Sequence, residues 1–193
     1  MLGALMLLAC EGPNLALGEA EADDTLGALV REALALGAEA AGGEVELLSF
    51  RGSADCGDGG RVPATGPWWY ISLRREDDPS AGWACFMQEE GSLECEPRAD
   101  EYTTLDPILD WTVDSPRACR RLPAEAEWLD VQSVGCMRAE FCQAYGGVDV
   151  EMPDDVPADR AAYYYHEVDA LSLFPVTRVL DGVTGRMLYR EGL

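Results

Sequence analysis

Seven cysteines, a single histidine and a large excess of carboxylates define the chemistry open to this chain. A thiolate metal site draws on paired C-x-x-C spacings, and none occurs among Cys10, Cys56, Cys85, Cys95, Cys119, Cys136 and Cys142. Disulfide formation is therefore the expected use of the thiols, and no metal centre is expected. His166 follows Tyr163-Tyr164-Tyr165 without the Ser or Cys partner motif that nucleophilic catalysis needs. No catalytic residue is assigned. Asp55-Cys56-Gly57-Asp58-Gly59-Gly60 spaces carboxylates among glycines as a calcium loop does, but Gly66 stands where an EF-hand requires Glu. A glycine-rich turn anchored by a disulfide accounts for the segment. No phosphate-cradling loop or dinucleotide fingerprint is found, so no cofactor is expected. Trp68, Tyr70, Tyr163 and Tyr165 form a candidate binding surface, because exposed aromatics can line a peptide or sugar groove.

The elements that must position these residues follow from periodicity. Leu26, Leu29, Val30, Ala33 and Leu34 recur at helical spacing, with Asp24 or Thr25 as cap and Gly42-Gly43 as stop. Strands are predicted at 45–50, 68–73, 83–88 and 92–95, with a glycine-rich surface loop over 52–67. A three-residue turn centred on Glu90, with Gly91 supplying the left-handed position, closes the third and fourth strands into a hairpin and sets Cys85 opposite Cys95. Facing residues on adjacent strands meet disulfide geometry, so Cys85 and Cys95 are expected to be joined. Ser115-Pro116 reads as cap and first position of a short helix carrying Cys119 and ended by Pro123. A longer helix is predicted over 128–145, with Val134, Met137, Phe141 and Tyr145 on one stripe. Its Cys136 and Cys142 are separated by about 9 Å of rise and point apart. They cannot pair with each other, which leaves Cys56 and Cys119 as their partners. Further strands are predicted at 148–152, 162–168, 176–180 and 187–189.

The two halves follow one order, a helix ending in Gly-Gly, then strands, then a closing hairpin. The expected fold is α+β, an antiparallel sheet with helices packed on one face, as two tandem α-β-β-β modules. The divisions are a leading segment over 1–9, an acidic tether over 10–23, a first module over 24–98, a connection over 99–113 and a second module over 114–193.

Composition narrows the partners. A hydrophobic content of 48% supports a folded core, and 36 Asp and Glu against 14 Lys and Arg give a formal net charge of -22. Such a surface repels nucleic acid and anionic lipid, leaving a basic protein, a peptide or a divalent cation as compatible partners. The apolar N-terminus is too short to span a bilayer, which takes about 20 residues.

Leu7-Leu8-Ala9-Cys10, closing the apolar stretch from Met1, resembles the lipobox of bacterial lipoproteins. The resemblance implies cleavage before Cys10, a diacylglyceryl group on its thiol, and a membrane partner reached through that lipid. The stretch departs from the family in having no Lys or Arg ahead of it and in being short. With Cys10 lipidated, an even six cysteines remain, as three disulfides in an oxidising compartment would use. Glu11 after the cysteine implies an outer-membrane destination, facing the periplasm or exterior. Leu180-Asp-Gly-Val-Thr-Gly-Arg-Met-Leu188 resembles the closing hairpin of PepSY-type domains, over nine of 193 residues. That implies a small α+β module of a family without catalytic residues. The expected function is a non-catalytic envelope lipoprotein that binds a protein or peptide; a carboxylate-dependent hydrolase and a purely structural envelope component are the alternatives.

Overall fold

The computed structural model describes residues 16–17, 25–54, 56–61, 70–88, 92–98, 106–122, 128–135, 152–167 and 176–190. The elements are β1 (Ala16–Leu17), α1 (Leu26–Ala41), β2 (Val45–Ser53), β3 (Tyr70–Arg75), β4 (Gly82–Met87), β5 (Leu93–Arg98), β6 (Asp110–Trp111), α2 (Ser115–Cys119), β7 (Trp128–Ser133), β8 (Ala161–Glu167), β9 (Val176–Asp181) and β10 (Met187–Arg190). Eight of the strands form one antiparallel sheet in the order β10-β9-β8-β7-β2-β3-β4-β5. Sequential strands thus run outward on either side of a seam between β2 and β7. The seam is paired from Ser49 opposite Gln132 to Ser53 opposite Trp128, so one sheet carries both halves of the chain.

Helix α1 starts and stops for local reasons. Thr25 caps it, its hydroxyl accepting from the Ala28 N–H at 3.4 Å, and Gly42 ends it in the left-handed region at φ +66°. Leu26, Leu29, Val30, Ala33 and Leu34 are buried in one cluster with Val45, Leu47, Phe50, Ile71, Leu73 and Cys85 of β2, β3 and β4. Close approach is possible because Gly37 has no side chain where the Leu73 methyl lies. The same cluster continues through Val131, Tyr163 and Leu180 into the other half of the sheet.

Three expectations are corrected. Residues 128–133 are strand β7, not the start of a helix. Val131 is hydrogen-bonding neighbour to Phe50 on one side and Tyr163 on the other, and pairing on both edges outweighs a helical stripe that begins only at Val134. Residues 136–151, with Cys136 and Cys142, lie outside the described residues. Cys56 and Cys119 are joined to each other, so neither is the partner of a cysteine in that stretch. Part of the expected tether is paired: β1 runs parallel to β6, Ala16 opposite Asp110 and Leu17 opposite Trp111. Cys85 and Cys95 are joined across β4 and β5. In the chain-entropy account, closing loops of 63 and 10 residues stabilises by about 4 and about 3 kcal/mol respectively.

The strap from Asp106 to Cys119 ties the halves together. The Ile108 N–H donates to Leu47 O at 2.8 Å, and the N–H groups of Thr112 and Val113 donate to Gly182 O at 3.0 and 2.7 Å. Where the strap enters α2, Asp114 rather than Ser115 is the cap. Its Oδ1 accepts from the N–H groups of Ser115 (2.7 Å) and of Gly27 in the first turn of α1 (2.8 Å). Its Oδ2 accepts from the Thr25 hydroxyl at 2.6 Å. Ser115 extends the junction, accepting from the Leu26 N–H at 3.1 Å and donating to Gly60 O at 2.6 Å. Gly60, at φ +80°, is pressed so close that a Cβ would lie 2.7 Å from the Ser115 backbone. One buried carboxylate therefore caps two helices, a use favoured by both helix dipoles.

Removing that carboxylate should leave orphaned donors at both helix starts. Asp114→Ala should lower unfolding free energy by about 2–4 kcal/mol, with Asp114→Asn losing less because an acceptor oxygen remains. Urea denaturation followed by circular dichroism measures this, and an alanine variant within about 0.5 kcal/mol of the parent would contradict the double cap.

Candidate functional site

Register identifies which strand residues stand on the sheet face turned away from α1. Strand side chains alternate between faces. Phe50, Ile71 and Cys85 face the core beneath α1, so Arg51, Tyr70 and Phe86, one residue along, face the other way. These three stand in a single cross-strand row, Arg51 opposite Tyr70 and Tyr70 opposite Phe86, with Glu94 of β5 next. The row continues across the seam to position 130, Tyr164 and Val179.

The two halves of this outer face differ in cover. Over β8 and β9, Met152 and Val156 pack with Val134, Ala162 and Val179 into a second small core, and Tyr164 and Tyr189 are partly buried against it. Over β2 to β5 the row stays accessible. Tyr70 and Phe86 are half-buried and meet edge to face, ring centroids 5.2 Å apart at 72°. The Arg98 guanidinium lies 5.2 Å from the Phe86 centroid in a cation–π contact. Arg51 is exposed. One row away, Ser72 and Ala84 are buried, and the Ser72 hydroxyl has no hydrogen-bond partner among the described residues.

The aromatics singled out in the sequence therefore separate. Tyr70 lies on the accessible row, and Trp68 lies outside the described residues. Tyr163 and Tyr165 are core residues, 1% and 4% exposed, and are corrected as surface candidates. The Tyr163 hydroxyl donates to Val113 O at 2.6 Å and accepts from Trp111 Nε1 at 3.0 Å, under an edge-to-face ring contact. Three consecutive tyrosines place the middle one opposite to its neighbours, so Tyr164 is the residue of that triplet on the outer face. Phe86, Arg51 and Arg98 were not anticipated. Alternation from Cys85 puts Phe86 on the face opposite the disulfide, and the burial of Cys85 against α1 makes that the outer face.

The four described cysteines occupy structural positions. Cys56 and Cys119 join the turn at 56–60 to α2, while Cys85 and Cys95 lie against Ala33 of α1. Asp55 and Cys10 are outside the described residues, as is the His166 side chain. Among the described residues no three His, Cys, Asp or Glu side chains converge as metal ligands.

The hairpin at Leu180–Leu188 has a local account for each polar residue. Asp181 Oδ1 accepts from the N–H groups of Val183 (2.8 Å) and Thr184 (3.2 Å), and Gly185 takes the left-handed region at φ +69°. Gly182 packs where a Cβ would strike Ala161 O at 2.7 Å. Arg160 pairs with the buried Asp181 at 3.1 Å. Burial on its own raises the Asp181 carboxyl pKa, but the hydrogen bonds from Val183 and Thr184 and the Arg160 charge outweigh it and hold it below the ordinary carboxylate value.

No protein-family model, curated protein or solved structure matches this chain.

Because the folded pKa of Asp181 is depressed, its stabilising contribution is present above the unfolded carboxylate value near about 4 and is lost as pH falls through the folded value. Wild type should lose more stability than Asp181→Asn between neutral and strongly acid pH, measured by denaturation at each pH. Parallel pH profiles would exclude this role.

Proposed function

We propose that this chain is a non-catalytic lipoprotein of a bacterial envelope that binds a protein or peptide through the uncovered part of its sheet. The accessible row of Arg51, Tyr70 and Phe86 carries the reading, since it combines stacking surface with a charged hydrogen-bond donor. We read the two strand runs, β2 to β5 and β7 to β10, as tandem modules, with the binding row on the sheet face opposite α1.

Lipidation at Cys10 would place this domain close to the bilayer. Five residues separate Cys10 from Ala16, a reach of about 20 Å at full extension. The strap to which β1 pairs would then lie nearest the membrane, and the net charge of -22 would hold the rest away from anionic headgroups. Two disulfides are consistent with an oxidising compartment outside the cytosol. The destination proposed is the outer membrane.

Two measurements test this. Cys10→Ala should move the protein from the membrane to the soluble fraction of the host envelope, and mass spectrometry should find the parent chain beginning at a diacylated Cys10; an intact Met1 with a free thiol would refute the anchor. A benzophenone side chain placed at Arg51 should yield a discrete photo-crosslinked adduct in the envelope, whereas the same group at Glu32, exposed on α1, should not. Adducts from neither position would refute the binding row.

A further inference from the structure

The sheet ends at β5, and among the described residues no strand lies beyond it. Alternation of the antiparallel ladder shows what that edge offers. Gln88 donates to Ser92 O at 2.8 Å, which makes 88 and 92 a hydrogen-bonded pair. Bonded and non-bonded pairs alternate from there, so the N–H and C=O groups of Leu93 and Cys95 turn away from β4. Pro97 falls at the next outward position, where its missing N–H costs the ladder nothing and marks the end of the usable edge.

Beside this edge runs a groove of about 530 Å³ whose lining includes Leu36, Glu39 and Ala40 of α1 and Leu93, Glu94 and Glu96 of β5. Its charge is one-sided. Glu39, Glu94 and Glu96 are exposed, no basic residue stands in the last turn of α1, and the carbonyl end of that helix adds its own negative potential. Arg98 offsets Glu96 at 3.1 Å, and Gln88 donates to Glu94 at 3.0 Å. A net excess of anionic groups remains.

We propose that the groove between α1 and β5 takes an extended peptide segment of alternating basic and apolar residues, paired as an added strand on β5. The occupant's pattern follows from the pleat. Residues beside Glu94 and Glu96 meet carboxylates and favour Lys or Arg, while those beside Leu93 and Cys95 point toward Leu36 and Ala40 and favour aliphatic side chains. A second copy of the chain fits poorly, since it would bring Glu94 and Glu96 against their own like. The inference rests on the reading of the protein as a binding module and names the chemistry of its partner.

Fluorescence anisotropy of a labelled peptide of alternating Lys and Val, added to the intact oxidised protein, tests it. Saturable binding is expected, weakened about tenfold or more when the peptide is N-methylated along its pairing edge, and lost with the Glu-Val counterpart. Glu39→Lys and Ala40→Trp should each weaken binding about tenfold, whereas Glu32→Lys, the same charge change on the same helix outside the groove, should change it less than about twofold. Equal binding of the N-methylated peptide, equal effects of Glu32→Lys and Glu39→Lys, or a peptide-sensitive dimer in sedimentation would each overturn the proposal. An Arg51 adduct without peptide binding would remove this inference and leave the binding row standing.

Discussion

The Asp114 carboxylate is the constraint on which the arrangement depends. A buried carboxylate is tolerated only when its oxygens are occupied by donors, and beside the adjacent Ser115 N–H Asp114 draws donors from residues 87 and 89 positions away in sequence. Those donors are the first turn of α1. Once Thr25, Gly27 and Leu26 are held to the Asp114-Ser115 corner, the direction of α1 across β2, β3 and β4 is determined. Its far end then comes down beside β5. The disulfide from Cys56 to Cys119 and the bond from Ser115 to Gly60 bring the turn after β2 to the same corner. Helix, loop and strap are thereby organised by one acid, and both the core and the groove at the sheet edge follow from where α1 lies.

Local sequence features are reliable signals where the deciding interactions are also local. Thr25 and Gly42 bracket α1 because a cap hydroxyl and a left-handed glycine act within one turn. The hairpin joining Cys85 to Cys95 was legible for a similar reason, since turn length and strand alternation determine which residues face each other. β7 was misread because the apolar stripe beginning at Val134 was extended backwards through a segment whose neighbours, β2 and β8, are distant in sequence. The Cys56–Cys119 disulfide was missed with it, both cysteines having been reserved for partners on that helix. Asp114 gave no signal at all. One carboxylate among 36 acidic residues carries nothing local to mark that it caps a helix starting near residue 26.

The candidate surface was legible in part, and the missing part was a question of face. Tyr163-Tyr164-Tyr165 alternates in direction but not in polarity, so the sequence does not say which side the odd positions take. Trp111 decides it, by arriving from the strap to share a hydrogen bond with Tyr163. Tyr70 and Phe86 are placed through a chain of register: Cys85 faces Cys95 and is buried against Ala33 of α1, so its neighbour Phe86 faces outward, and cross-strand pairing carries that direction to Tyr70 and Arg51.

The acidity of the chain acquires a structural meaning at the edge of the sheet. An edge strand is open to any extended chain, including another copy of itself, and proteins limit that hazard with charge and proline. β5 carries both, in Glu94, Glu96 and Pro97. Proline shortens the edge without regard to the visitor, whereas carboxylates discriminate, repelling a like strand and attracting a cationic one. With the lipid anchor proposed above, copies held at high local density on a membrane would face self-pairing most acutely. The same negative charge that would keep neighbouring copies apart there leaves the edge receptive to a basic segment, so protection against self-association and selection of a partner are two consequences of one surface.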